Sequence, residues 1–282
     1  MKIEINEMRK IEGEVSSNDR VAEVSAYSGL FISLGAIALG FLANWEEITK
    51  NQKTATFSLL AIAFFVAGLI ASNTIETRRR FSSFLYLLAA VSSAIAVYVT
   101  FTDEAAPLQA LALATVVTLL GYTVSPTIVG HLGLYLATAG TLLSLGFELV
   151  DSENLRLYTQ ISLVIAFAIG WMLLSSMSVV HPETGYALAS LTIFGASQIA
   201  LLRGYNNLSY AIALSSVALF AWLYFVMRSW ILAIVGLIAF PVTMAEWVVS
   251  AMDSSMASLS GMFIAGLLLA LISASSISAV KD

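Results

Sequence analysis

The chain has 282 residues, of which 59% are hydrophobic and 11% are charged, and its net charge is −5. Water-soluble domains carry roughly 25% charged residues, so a soluble fold of this length could not cover its surface. The absence of cysteine excludes disulfides, thiolate metal sites and cysteine nucleophiles. The dispersed negative charge does not indicate a nucleic-acid partner.

Residues 1–22 form a charged tail before the first apolar run. Met8, Ile11 and Val15 follow the spacing of a short amphipathic helix on the membrane surface, whereas Gly13 favours a partly ordered, solvated tail. Because the tail mixes acidic and basic residues, we interpret the run that follows as a retained membrane span and not as a signal peptide.

The clearest span covers residues 54–72, which carry no charge. A helix rises about 1.5 Å per residue, so this stretch is about 28 Å long and matches the roughly 30 Å hydrocarbon core of a bilayer. The strands of a membrane barrel would instead alternate apolar and polar residues. Similar stretches predict ten transmembrane helices, over residues 25–43, 54–72, 81–101, 107–122, 127–149, 157–179, 185–202, 208–227, 230–250 and 257–280.

The predicted fold is therefore an all-α integral membrane protein, a bundle of ten transmembrane helices. Residues 23–282 form a single transmembrane domain, because no loop is long enough for a soluble one. The connection between Met227 and Trp230 is the shortest and the hardest to place.

Lysine and arginine counts orient the bundle. With the N-terminus inside, nine of these residues lie on the inner side and four on the outer side. The run Arg78–Arg80 contributes to this bias and would touch anionic lipid. We expect both termini in the cytoplasm and the chain in the cytoplasmic membrane.

Glu246 is the first candidate for chemistry, in the ninth predicted span. A charge in hydrocarbon costs about 2.5–3.5 kcal/mol on insertion scales and usually has a task or a partner. Pro241 withholds a hydrogen bond from the carbonyl of Leu237 and is expected to kink the helix, an arrangement with which transporters expose backbone groups to a substrate or a proton. The alternative is that Glu246 only reaches the outer headgroups beside Trp247.

Two further polar residues fall inside predicted spans. His131, near the start of the fifth, has the chemistry to relay a proton or to serve as a hydrogen-bonded structural residue. Gln198, in the seventh, would hydrogen-bond across helices as packing glue or contribute to a ligand site.

Acidic residues cluster at two predicted outer loops. They would either form a vestibule that attracts cations or be ordinary solvated loop charges. The residues concerned are Glu46, Glu47, Glu148, Asp151 and Glu153.

No cofactor, metal or enzymatic activity is expected. Two histidines without cysteine give no metal-ligand spacing, and neither a Walker loop nor a dinucleotide glycine pattern occurs. An intramembrane enzyme would need a carboxylate and a histidine facing one cavity, and we rank it last.

In the first hairpin a glycine-containing helix, with Gly29, Gly35 and Gly40, leads to Asn44-Trp45 and a second apolar span. This pattern resembles the first hairpin of a family of bacterial and archaeal membrane proteins of unknown function. The resemblance covers residues 23–72 and singles out Asn44 and Trp45. It implies no activity.

The C-terminal part is similar to the last two helices of drug/metabolite transporters, which also have ten spans. The similarity runs from Pro241 through Gly261 to Gly266. Where that family commonly has a Gly-Glu pair, this chain has Met252-Asp253, and no internal repeat is visible.

These features support two functional hypotheses. The first is a permease-like transporter of a small molecule or cation, whose path passes the kinked ninth span with Glu246. The second is a non-transporting membrane scaffold or accessory subunit. The bilayer is the expected surrounding in both, and substrate and oligomeric state stay open.

Overall fold

The computed structural model describes residues 43–72, 76–101 and 105–251, together with single positions between 25 and 41. All regular secondary structure in these ranges is α-helical. The eight long helices found there are α1 (Lys50–Ala71), α2 (Glu76–Thr100), α3 (Ala106–Val124), α4 (Ile128–Glu148), α5 (Glu153–Ser176), α6 (Pro182–Leu202), α7 (Asn206–Met227) and α8 (Trp230–Ala251).

Each of these eight helices is long and apolar enough to cross a membrane. Large apolar side chains stay exposed along them, among them Ile70, Leu202 and Phe225. Water would penalise such surfaces, whereas lipid chains solvate them. The described part of the chain is therefore built as a multi-pass membrane protein.

The predicted second to ninth spans correspond to α1–α8. The tail over residues 1–22, most of the first span, the segment Met252–Asp253 and the tenth span lie outside the described residues. The total of ten spans therefore stays a prediction.

Four helices begin three or more residues earlier than the apolar pattern predicted, and α1, which starts at Lys50 instead of residue 54, is one of them. α2 starts at Glu76, so Arg78–Arg80 are helical and not part of a loop, and the Arg80 guanidinium pairs with Glu76 one turn before it. α5 and α6 likewise begin at Glu153 and Pro182. The predicted starts were wrong because apolar runs mark the lipid-embedded part of a helix, whereas its first turn is set by capping and charge.

Many hydroxyl groups of the described helices donate back to a carbonyl of their own helix. Water is absent from hydrocarbon, so a hydroxyl there needs an internal acceptor. The donors are Ser93, Thr100, Thr115, Thr118, Ser175, Ser176, Ser190, Ser197, Ser216 and Thr243. These side chains are thus accommodated without a partner helix.

The first compact unit contains α1, α2, α3 and the first half of α4. Tyr86 of α2 is buried and packs against Phe65 of α1, with 5.2 Å between ring centroids. Room for the tyrosine comes from Gly68 and Gly121, since a Cβ at Gly121 would come 2.5 Å from the Cβ of Tyr86. The Ser82 hydroxyl donates to the Gly68 carbonyl at 2.7 Å and ties α2 to α1.

The second compact unit contains the second half of α4 and α5–α8. In it α6 packs against α5, α7 and α8. Leu157 and Ile161 of α5 pack on Ala196 and Ala200 of α6, whose small side chains let the two helix backbones approach.

The connection between α7 and α8 is as short as predicted. Only Arg228 and Ser229 separate the two helices, and Arg228 closes α7 in the left-handed conformation with φ 55°. α8 then continues as one helix through Pro241.

We expect Gly121→Ala to lower the free energy of unfolding by about 1–3 kcal/mol, the usual cost of overpacking, because the added methyl group collides with Tyr86. Denaturant titration in detergent micelles measures it. Gly170→Ala is the matched control, since a Cβ there meets nothing within 4 Å. Equal effects of the two substitutions would contradict the packing around Tyr86.

Candidate functional site

Glu246 and Gln198 meet between two helices of the second unit. Gln198 Nε2 of α6 lies 3.3 Å from Glu246 Oε2 of α8 and donates to it. Both residues lie in the C-terminal halves of their helices, and both side chains are half-buried. An amide that donates to a carboxylate lowers the cost of removing the carboxylate from water.

A third helix contributes to the same place. The Tyr210 hydroxyl of α7 donates to the backbone carbonyl of Glu246 at 3.3 Å. Gln198 Nε2 also approaches the Ser197 hydroxyl at 3.5 Å. We call Gln198, Tyr210 and Glu246 the polar cluster; it joins α6, α7 and α8.

Pro241 lies five residues before Glu246 and is buried. Lacking an N–H, it cannot donate to the carbonyl of Leu237, so α8 has one backbone hydrogen bond fewer beside the polar cluster. Thr243 donates to the Ala239 carbonyl at 2.8 Å in the same turn. Helix α8 is therefore weakened within two turns of its carboxylate.

His131 belongs to the first unit. Its side chain is fully buried, and its ring lies 6.0 Å from the ring of Tyr122 of α3. The helical backbone places it in the first turn of α4, as its position in the predicted span indicated. Its role as a proton relay stays a prediction. His131 is not one of the residues that form the polar cluster.

Asn44 and Trp45 build the turn before α1. The Asn44 side-chain amide donates to the Gly40 carbonyl at 2.9 Å, and the Lys53 ammonium lies 4.2 Å from the centre of the Trp45 ring. Thr49 and Gln52 then form a capping box that starts α1. The Asn-Trp motif thus has a structural use here, closing one helix and fixing the start of the next.

A cavity that sequence reasoning missed lies where α4 and α6 end and α5 and α7 begin. Its volume is about 530 Å³. We call it the arginine cavity; its lining residues are Phe147, Glu153, Arg156, Leu157, Gln160, Arg203 and Tyr205.

One residue of the acidic loops, Glu153, lines the arginine cavity. Glu153 pairs with Arg203, with 3.7 Å between Oε1 and Nη1. Arg156 donates from Nε to the Val150 carbonyl at 3.0 Å. The lining carries two guanidinium groups and one carboxylate, so the cavity itself is not acidic, and the choice between a cation-attracting vestibule and solvated loop charges stays a prediction.

The polar cluster and the arginine cavity are separate. The cavity lining includes neither Gln198 nor Glu246. At about 100° per residue, Gln198 lies on the opposite side of α6 from Ala196 and Ala200, which face α5. Helix α6 therefore stands between the two sites.

No protein-family model, no curated protein and no solved structure matches this chain.

A double-mutant cycle tests the contact in the polar cluster. Gln198→Leu and Glu246→Leu should show a coupling energy of about 0.6–1.7 kcal/mol, the range for hydrogen bonds between membrane helices. The free energy of unfolding in detergent micelles gives this coupling whatever the sign of each single effect.

Gln160→Leu combined with Glu246→Leu is the control cycle. Gln160 donates to the Leu143 carbonyl at 3.1 Å and shares no contact with the polar cluster. The control pair should be additive to within about 0.5 kcal/mol. Additivity in the Gln198–Glu246 pair as well would show that the two side chains do not interact.

Proposed function

We propose that the protein is a permease-like transporter of a small molecule in the cytoplasmic membrane, with both termini in the cytoplasm. In this proposal Glu246 binds a proton or a cation as part of the transport cycle. The observation that carries it is the contact between Glu246 and Gln198, two polar side chains on helices that are apolar enough to cross a membrane.

The depth of the polar cluster supports the proposal. Glu246 lies roughly 8 Å beyond the midpoint of α8, and Gln198 roughly 9 Å beyond the midpoint of α6, at about 1.5 Å per residue. With each helix midpoint taken as the bilayer centre, these positions fall inside a hydrocarbon core with a half-thickness of about 15 Å. A carboxylate kept there needs a partner or a function that compensates for its energetic cost. Reversible binding of a proton or a cation is one such function.

The backbone around the polar cluster supplies a second argument. Transporters commonly place substrate and ion sites where a helix is interrupted. Pro241 weakens α8 within two turns of Glu246. Binding or release of a proton or a cation at the carboxylate can therefore be coupled to a change in the shape of α8. The Tyr210 hydroxyl would pass such a change to α7, because it donates to the backbone carbonyl of Glu246.

The second hypothesis, a non-transporting scaffold or accessory subunit, also has an observation in its favour. The arginine cavity is lined by neither Glu246 nor Gln198, so a continuous path from cavity to carboxylate has to open through movement of α6 or α8. In a scaffold the polar cluster would only hold three helices together.

Proton movement in liposomes separates the two functions. The full-length protein is reconstituted with a trapped pH-sensitive dye and challenged with a panel of amino acids, sugars and small amines. We expect at least one solute to be transported together with protons or with sodium. Glu246→Gln should abolish this coupled transport, because glutamine keeps the hydrogen bond but carries no ionisable group.

Glu183→Gln is the matched control, since Glu183 is an exposed carboxylate in the first turn of α6. Its removal should leave solute-driven movement unchanged. Equal activity of the Glu246→Gln variant and the wild type would remove the proposed mechanism. A wild type that moves no solute of the panel would favour the scaffold.

A further inference from the structure

We propose that the arginine cavity binds a carboxylate or phosphate group carried on a small apolar body. This proposal concerns the cavity alone and is independent of transport through the polar cluster. Its volume of about 530 Å³ falls within the roughly 300–1,000 Å³ of small-molecule sites. Its two arginines are held in different ways, Arg156 firmly and Arg203 weakly.

Arg156 is fixed in place by the loop that precedes α5. Its Nε donates to the Val150 carbonyl at 3.0 Å, and one terminal nitrogen, Nη2, donates to the Asp151 carbonyl at 3.4 Å. The guanidinium carbon also lies 5.3 Å from the centre of the Phe147 ring. These contacts use one edge of the guanidinium, and among the described residues Nη1 has no acceptor. A pre-positioned guanidinium is suited to planar, two-oxygen anions.

Arg203 is held only weakly. Its Nη1 lies 3.7 Å from Glu153 Oε1, beyond the 2.7–3.2 Å of a good N–H···O hydrogen bond, and both side chains are mostly exposed. An exposed pair of this kind contributes little to stability. An incoming anion can therefore replace Glu153 as the partner of Arg203.

The remaining walls fit the same ligand. Helices α5 and α7 begin at the cavity while α4 and α6 end there, so the helix dipoles largely offset one another and the two arginines supply the positive charge of the cavity. Phe147, Leu157 and Tyr205 supply apolar wall for the rest of the ligand. The cavity lies at helix ends, where the anion can come from a soluble organic acid or phosphate or from a lipid headgroup.

Phenyl phosphate is a suitable probe, with benzyl alcohol as its uncharged counterpart. Calorimetric titration uses the full-length protein in nanodiscs of phosphatidylcholine. We expect saturable binding of phenyl phosphate and none of benzyl alcohol. Arg203→Gln should weaken the binding by about tenfold or more, the effect of losing one charged hydrogen bond.

Glu153→Gln distinguishes an anion site from an ion pair that merely supports the fold. Removing the competing carboxylate should strengthen phenyl phosphate binding by roughly two- to fivefold, whereas a structural pair would lose binding in both variants. Arg228→Gln is the matched control, an exposed arginine at the far end of α7, and should leave the affinity unchanged. Glu246→Gln should also leave the affinity for phenyl phosphate unchanged. Anion binding in the cavity and the proposed transport can therefore be refuted separately.

Nanodiscs that contain phosphatidylglycerol identify the source of the anion. If lipid is the occupant, the apparent affinity for phenyl phosphate falls and native mass spectrometry finds phosphatidylglycerol retained by the wild type but not by Arg203→Gln. If a soluble anion is the occupant, the affinity is unchanged. Absence of saturable phenyl phosphate binding together with no retained lipid, or equal losses in Arg203→Gln and Arg228→Gln, would overturn the proposal.

Discussion

Desolvation of polar groups governs this structure. A hydroxyl or amide in hydrocarbon must find its partner within the protein, and many of the described hydroxyls find it one turn back in their own helix. A carboxylate cannot be satisfied in that way, because it needs hydrogen-bond donors. In the middle of a helix the backbone N–H groups are already bonded, so the backbone offers a side chain only carbonyl acceptors. Glu246 therefore requires a donor from another helix, and Gln198 supplies it.

Several hydrogen bonds of the described residues cross between helices, and they mark places where the packing is specific. Ser82 joins α2 to α1, Gln160 joins α5 to α4, and the polar cluster joins α6, α7 and α8. Elsewhere small residues and aromatic rings fill the space, as Tyr86 does between two glycines. Of the cross-helix contacts named here, the one at Glu246 contains an ionisable group. The proposed function begins from that difference and from the weakened backbone at Pro241.

Much of the fold could be predicted from the sequence, because a long apolar run in a chain with few charges has one stable arrangement in a bilayer. Glu246 could be identified from the sequence because a carboxylate inside a long apolar run is energetically unfavourable. Its partner could not, since pairing Gln198 with Glu246 depends on how α6 and α8 pack, and periodicity within one helix carries no information about its neighbours. The arginine cavity was missed for a related reason: Arg156 and Arg203 are far apart in sequence and each looks like an ordinary loop charge. The capping box at Thr49 and Gln52 was readable from its spacing and would have moved the start of α1 to Lys50.

The proximity of Gln198 and Glu246 is the central claim, and the absence of native cysteine makes it directly measurable. Gln198→Cys and Glu246→Cys are combined in one chain, treated in native membranes with a short bifunctional methanethiosulfonate, and the linked peptides are identified by mass spectrometry. The account predicts efficient cross-linking of this pair and none when Ala196→Cys, on the opposite side of α6, replaces Gln198→Cys. Cross-linking from Ala196→Cys, or none from Gln198→Cys, would show that α6 and α8 do not meet as described.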